Sequence, residues 1–78
     1  MLDNIYQGVV EGNAQAVADG VSQALEAGYD PGEILNQAMV AAMAEVGEQF
    51  EAGEMFVPEM LIAARAMKEG MQVLEPHL

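Results

Sequence analysis

The sequence has no cysteine, tryptophan or threonine, and it contains one serine and one histidine. The lack of cysteine excludes disulfide bonds and thiolate metal sites. Ser22 and His77 are poor candidates for a Ser-His-Asp triad, because His77 is the penultimate residue and follows Pro76 in what we expect to be a terminal tail. We therefore predict no catalytic residue and no metal ligand in this chain.

Positive charge is also scarce. Lys and Arg total two, Arg65 and Lys68, against thirteen Asp and Glu, and the net charge is -11. Nucleic acids and anionic membranes are recognised through basic footprints, so we expect neither as a partner. The acidity favours a solubilising surface, with a docking face for a basic partner as the alternative.

Long apolar runs are absent as well. No stretch is long enough to cross a bilayer, and the amino terminus lacks the basic and apolar regions of a signal peptide. With no cysteine, this pattern leads us to expect a cytoplasmic protein. Seventy-eight residues make one domain, and a hydrophobic content of 53% argues against disorder.

Apolar periodicity and helix-ending residues predict four helices. They cover Leu2–Glu11, Ala14–Ala27, Pro31–Ala52 and a segment from Val57 to just before Pro76. Asp30 is the predicted N-cap of the third helix, with Glu33 completing an analogue of the capping box. No stretch alternates with the period of a strand. Short loops between amphipathic helices predict an all-α, antiparallel four-helix bundle, in which the first helix is the weakest because Gly8 interrupts it.

Each of the last three helices has a predicted core stripe. The second helix contributes Val17, Val21, Ala24, Leu25 and Gly28; the third contributes Leu35, Met39, Ala42, Val46 and Phe50; the fourth contributes Met60, Ala64, Met67, Met71 and Leu74. Most of the seven methionines lie on these stripes, where packing is the expected role, whereas Met55 is expected to be exposed in a turn.

Four glutamates recur every three residues, at Glu45, Glu48, Glu51 and Glu54. Their spacing drifts around a helix, so the carboxylates cannot all converge on a metal. The Glu-x-x-His motif of di-iron bundles is also missing. A solvated acidic face is the better interpretation.

The turn between the third and fourth helices is unusually apolar. Phe50, Met55, Phe56 and Val57 surround Gly53. A hydrophobic staple that clamps the two helices explains such a turn, and so does an apolar surface offered to a flat ligand or a partner. Spacing alone leaves both interpretations open and slightly favours the staple.

The second half of the chain carries a longer pattern. It consists of Val46-Gly47, Phe50, Gly53, Phe56-Val57-Pro58-Glu59, Ala63-Ala64-Arg65-Ala66-Met67 and Leu74-Glu75-Pro76, in that order. The combination resembles the N-terminal helical cap of corrinoid (cobalamin-binding) methyl-transfer proteins and of the cobalamin module of methionine synthase. The resemblance spans the chain and is strongest after Met43.

The resemblance implies a cofactor role for five residues. Phe50, Val57 and Leu61 match the positions that press on the upper face of the corrin ring, and Met60 and Phe56 adjoin them. It implies a cap that shields methylcobalamin during methyl transfer in one-carbon metabolism and that is not an enzyme by itself.

The same resemblance implies partners. A Rossmann-like corrinoid-binding domain is expected to follow the cap, with the Asp-x-His-x-x-Gly signature that this sequence lacks. Cobalamin binding is expected only with that domain. A separate substrate methyltransferase is the second partner, and a homodimer of the isolated cap is plausible through its exposed patch.

Related caps in light-sensing regulators carry a Trp and, about ten residues later, a Glu-His pair. Phe50 and Met60-Leu61 stand at those positions here, which favours a methyl carrier. The alternative function is an acidic helical module that docks another protein without a cofactor.

Overall fold

A computed structural model describes residues 2–78 as helices joined by short turns, with no β-strand among them. The helices are α1 (Leu2–Glu11), α2 (Ala14–Glu26), α3 and α4 (Val57–Leu74). α3 runs without a break through Pro31–Glu33, a π-helical segment Ile34–Val40, and Ala41–Glu51. A 3₁₀ turn, Glu75–His77, follows α4. The predicted four-helix bundle is confirmed, and each helix begins and ends within about one or two residues of its predicted bounds.

Side-chain caps and glycine set the helix ends. The Asn13 side chain accepts a hydrogen bond from the backbone N–H of Ala16 at 3.1 Å, and Asp30 accepts one from that of Glu33 at 3.2 Å. These bonds satisfy backbone donors that a helix start leaves without partners. Gly28 follows α2 with a φ of +91°, a conformation that glycine adopts at little cost. Gly28 is exposed, so its assignment to the core stripe was wrong.

The main core lies where α2 packs between α1 and α4, with α3 closing the bundle. Its eleven buried residues are Ile5, Val9, Val17, Val21, Ala24, Ile34, Ala38, Met39, Ala42, Ala66 and Leu74. Close helix contact depends on glycine. A Cβ at Gly70 would lie 2.5 Å from Cγ1 of Val17, and one at Gly8 would lie 2.9 Å from Cγ2 of Val17. Gly8 therefore permits a helix crossing, and α1 is unbroken rather than interrupted.

The π-helical segment shifts the core stripe of α3. Met39, Ala42 and Val46 are buried as predicted, but Ile34 is buried where Leu35 was expected, and Leu35 is half-buried. A π-helix bonds residue i to i+5 and so inserts one extra residue relative to α-helical periodicity. That insertion moves the inward position from 35 to 34.

Small residues form the inward face of α4. Ala63, Ala66, Gly70 and Leu74 are buried there. The methionines predicted for this seam, Met60, Met67 and Met71, are half-buried at its flanks, and Ala64 is exposed. The stripe was predicted from hydrophobicity, whereas close approach of α2 and α4 selects for small size.

The bundle measures 37 × 18 × 18 Å along its principal axes. Within residues 2–78, no helix combines the length and apolar character needed to cross a membrane. A second, smaller core cluster lies beyond the main one and consists of Val46, Met55 and Ala63, with Val10, Met43 and Met60 packed against it. This second cluster underlies the turn between α3 and α4.

Candidate functional site

Backbone hydrogen bonds hold the turn between α3 and α4 in place. Gly53, with a φ of +78°, donates its N–H to the carbonyl of Phe50 at 3.1 Å. Glu54 and Met55 both donate to the carbonyl of Gln49, at 2.8 and 3.2 Å. These bonds use carbonyls that the end of α3 leaves without helical partners. The turn is therefore a defined structural element that fixes where α4 begins.

Met55 anchors the turn to the bundle. Its side chain is 6% exposed and belongs to the second core cluster, so the expectation that Met55 is exposed was wrong. Phe56 is the N-cap residue of α4, and Met60, four residues into the helix, packs against the same cluster. Apolar residues before the cap and at the fourth helical position are the two members of a hydrophobic staple. The staple interpretation thus holds for Met55 and Met60.

Glu59 completes the start of α4. Its Oε1 accepts a hydrogen bond from the backbone N–H of Phe56 at 3.1 Å. This is the carboxylate arm of a capping box, and Pro58 in the first turn is preorganised for a helix. The first turn of α4 is therefore held from two sides, which fixes the direction of the side chains that it presents.

Four large apolar side chains on this turn and on the start of α4 remain in solvent. Phe56 is 70% exposed and Leu61 is 63% exposed, while Val57 and Ile62 are each about half exposed. Val57 and Leu61 are four residues apart and so are neighbours on the helix surface. We call Phe56, Val57, Leu61 and Ile62 the apolar face. It consists only of hydrocarbon and aromatic groups, so it can provide apolar contact and exclude water.

The five residues predicted to touch a cofactor fall into two groups. Phe56, Val57 and Leu61 belong to the apolar face. Phe50 is half-buried on the last turn of α3, and Met60 is half-buried against the second core cluster. Met60 therefore packs towards the bundle, while Phe50 keeps part of its side chain accessible at the end of α3.

Ile62 is a member of the apolar face that the sequence did not reveal. A Cβ added at Gly12 would overlap the Cγ2 methyl of Ile62, so the turn between α1 and α2 packs closely against this side chain. Gly12 has a φ of +74° and tolerates that approach. Only the tertiary contact identifies this edge, because nothing in the local sequence pairs residue 12 with residue 62.

The glutamates of α3 do not behave as one solvated face. Glu48 and Glu51 are exposed, but Glu45 is half-buried. Its Oε1 accepts a hydrogen bond from the Tyr6 hydroxyl at 2.7 Å, and its Oε2 accepts one from the Gln49 side chain at 3.1 Å. The hydrogen bond to Glu45 raises the pKa of Tyr6, and desolvation and the nearby negative charges add to the effect. Glu45 thus links α1 to α3.

Residues 2–78 contain no group of three or more His, Cys, Asp or Glu side chains that could hold a metal ion. His77 is exposed in the 3₁₀ turn at the end of the described chain, as the sequence predicted. What the site offers is the apolar face, which can provide apolar contact to a ligand or a partner.

Comparison with known proteins supplies the family. The model of the B12 binding domain matches residues 1–75. The chain is 41% identical over 70 residues to trimethylamine corrinoid protein 1 of Methanosarcina acetivorans, which covers 90% of this chain and 32% of that protein. It is 31% identical over 78 residues to a corrinoid protein of Desulfitobacterium hafniense, covering 100% of this chain and 36% of that one.

Solved structures agree with the fold. The monomethylamine corrinoid protein of Methanosarcina barkeri superposes with a TM-score of 0.89 at 30% identity, over 92% of this chain and 34% of that chain. The methanol:cobalamin methyltransferase complex of Methanosarcina barkeri superposes with a TM-score of 0.88 at 29% identity. This match covers 96% of this chain and 29% of that chain. The chain spans about a third of the length of the curated relatives that it matches. It belongs to the B12 binding domain family, as the helical cap found in corrinoid proteins.

Proposed function

We propose that this chain covers the upper face of methylcobalamin in a corrinoid protein and keeps water away from it between methyl transfers. The observation that carries the proposal is the apolar face, whose four large side chains are exposed and extend from a turn held by the staple and the capping carboxylate. Exposed apolar patches of this kind mark binding surfaces. Family membership makes a corrinoid the appropriate ligand.

Each of the predicted residues would make a different contact with the corrinoid. Val57 and Leu61 would contact the ring from adjacent turns of α4, and Phe50 would close the patch from the end of α3. Phe56 would extend the contact at the rim, and Met60 would support it from the second core cluster. When bound, the corrinoid carries the methyl group on its cobalt. The side chains of this cap would exclude solvent, and the cap itself would perform no bond-making step.

The partners follow from the same role. We expect a corrinoid-binding domain in the same protein, because the relatives are about three times as long as this chain. We also expect a separate methyltransferase, since one structural relative is part of a methanol:cobalamin methyltransferase complex. Related proteins are named for trimethylamine, monomethylamine and methanol, so the proposed substrate class is a small methylated compound. The expected location is the cytoplasm.

The cap has to move aside for the methyl group to be transferred. The side chains of the apolar face are half or more exposed, and Ile62 packs against Gly12 in the turn between α1 and α2. A rigid-body displacement of the bundle would therefore uncover the ring without unfolding a helix.

Photolysis of the methyl–cobalt bond tests the proposal. In the full-length protein loaded with methylcobalamin, Phe50→Ala should speed photolysis, because the ring loses part of its cover. Tyr29→Ala is the matched control, since Tyr29 is an aromatic residue in the turn at the other end of α3. Equal photolysis rates in wild type and Phe50→Ala would contradict the proposal and favour a protein-docking module.

The isolated chain should associate with itself. Without a ring to cover, the apolar face is left in water, and a second copy can bury it. Sedimentation of the 78-residue chain should show dimers at high concentration, and Leu61→Asp should remove them. A wild-type chain that stays monomeric would contradict this expectation.

A further inference from the structure

A second surface feature adjoins the apolar face. It is an open groove of about 330 Å³ between α2 and α4. Ala14 and Ala18 line one wall and leave space because their side chains are small. The polar lining comes from Gln15, Arg65 and Glu69. We call this feature the amide groove.

The groove begins one helical turn beyond the apolar face. Arg65 follows Leu61 by four residues, which is a rise of about 6 Å along α4, and both residues are exposed. Ile62, at the other edge of the face, precedes Glu69 by seven residues and contacts the turn that leads into α2. A ligand lying on the apolar face would therefore have its rim close to the groove.

The three polar side chains offer a specific combination of hydrogen-bonding groups. The Arg65 guanidinium only donates hydrogen bonds, and the Glu69 carboxylate only accepts them. Gln15 does both. An anion in the groove would be repelled by the Glu69 carboxylate, and a cation would be repelled by the Arg65 guanidinium. A neutral primary carboxamide satisfies both, because its oxygen accepts from Arg65 and its NH₂ donates to Glu69.

Corrin rings carry primary carboxamide side chains around their edge. We propose that the groove formed by Gln15, Arg65 and Glu69 binds one of these peripheral carboxamides when the apolar face lies on the ring. The inference rests on the proposed function and adds a polar anchor to it. The apolar face has no directional contacts, so the groove would fix the rotation of the cap over the ring.

Arg65 and Lys68 provide a matched pair of variants. They are the two basic residues of the chain, and both are exposed on α4, but only Arg65 lines the groove. In the full-length protein loaded with methylcobalamin, Arg65→Ala should speed photolysis about two- to tenfold, the range expected for one lost hydrogen bond. Lys68→Ala removes the same charge and should leave the rate unchanged. Equal rates for the two variants would overturn the proposal.

Altered corrinoids test the chemistry of the groove directly. Cobalamin derivatives in which one carboxamide at a time is converted to a carboxylic acid should include one isomer that the wild-type cap covers poorly, because its carboxylate meets Glu69. Glu69→Gln should restore cover for that isomer, seen as a return to slow photolysis. Identical behaviour of all isomers with the wild-type protein would contradict carboxamide recognition.

A third comparison separates this inference from the proposed function. Leu61→Asp disrupts the apolar face, so it should speed photolysis if the cap covers the ring at all. If Leu61→Asp speeds photolysis and Arg65→Ala does not, the groove has no role in binding the corrinoid, but the proposed cap function stands. No effect of either variant would remove both.

The side-chain NMR signals of Gln15 and Arg65 give a readout that does not depend on photolysis. They should shift when the full-length protein takes up methylcobalamin. Unchanged chemical shifts of Gln15 and Arg65 between the cofactor-free and loaded proteins would mean that the groove does not bind the corrinoid.

Discussion

The first third and the remaining two thirds of α4 are both rich in apolar residues but use them differently. Residues 57–62 expose Val57, Leu61 and Ile62, while residues 63–74 bury Ala66, Gly70 and Leu74 in the main core. The buried part presents mainly small side chains that let α2 approach, and the exposed part presents large ones that remain half or more exposed. Hydrophobicity alone thus fails to distinguish the apolar residues that pack in the core from those that stay exposed, whereas side-chain size and neighbouring contacts distinguish them.

The strongest test of this contrast uses one substitution at two positions of α4. Leu74 is fully buried and Leu61 is 63% exposed. Leu74→Ala should lower the free energy of unfolding by about 2–5 kcal/mol, because it removes buried methyl groups and leaves a cavity. Leu61→Ala should change it by about 0.5 kcal/mol or less. Urea denaturation of both variants measures the difference, and similar costs would contradict the division of α4.

The staple beneath the apolar face allows a second test. Met55→Ala removes a nearly buried side chain from the second core cluster and should cost about 2 kcal/mol. Phe56→Ala, at the adjacent and mostly exposed position, should cost far less in the isolated chain. Thermal unfolding compares the two variants. A larger loss of stability for Phe56→Ala would mean that Phe56, and not Met55, anchors the turn.

Glycine substitutions sharpen the contrast between close and open surfaces. A Cβ at Gly70 would crowd Cγ1 of Val17 and, at 3.0 Å, Cε of Met39, whereas a Cβ at Gly47 meets nothing within 4 Å. Gly70→Ala should therefore cost about 1–2 kcal/mol through overpacking. Gly47→Ala should stabilise the chain by about 0.5–1 kcal/mol through helix propensity. Chemical denaturation that ranks them in the opposite order would contradict the packing described for α2 and α4.

The smallest expected effect on stability comes from a substitution outside α4. Tyr6→Phe removes the hydrogen bond to Glu45 and should weaken the link between α1 and α3. The pKa of Tyr6 is raised in the folded chain, so its contribution is fully present below the unfolded value of 10.0 and is lost as pH rises through the folded pKa. The stability difference between wild type and variant should therefore persist at neutral pH and shrink in strong alkali. A difference that grows with pH would contradict the sign of the shift.

Much of the fold was predictable because its signals are local. Asp30 and Asn13 cap the helices that their positions indicated, and glycines with positive φ follow α2 and α3. The burial of Ile34 in place of Leu35 was not predictable, because the π-helical insertion in α3 leaves no mark in hydrophobic periodicity. The burial of Gly70 depends on a contact with another helix that no local pattern encodes.

The candidate site was predictable in part. Local sequence identified an apolar turn, and the family resemblance singled out Phe50, Val57 and Leu61. The inward turn of Met55 was missed, because a staple and an exposed patch use the same residue types and differ only in direction. Ile62 and the amide groove were missed because they depend on tertiary contacts: Ile62 packs against the turn between α1 and α2, and the groove forms between α2 and α4.

The most direct test of the central claim is a two-dimensional NMR titration of this chain. Methylcobalamin is added first, and a cobalamin-loaded corrinoid-binding domain is then supplied in trans. We expect chemical-shift changes concentrated at Phe50, Val57 and Leu61 once the loaded domain is present, with Leu74 and the main core unchanged. The absence of shifts at these three residues in both steps would contradict the assignment of the apolar face to a corrinoid.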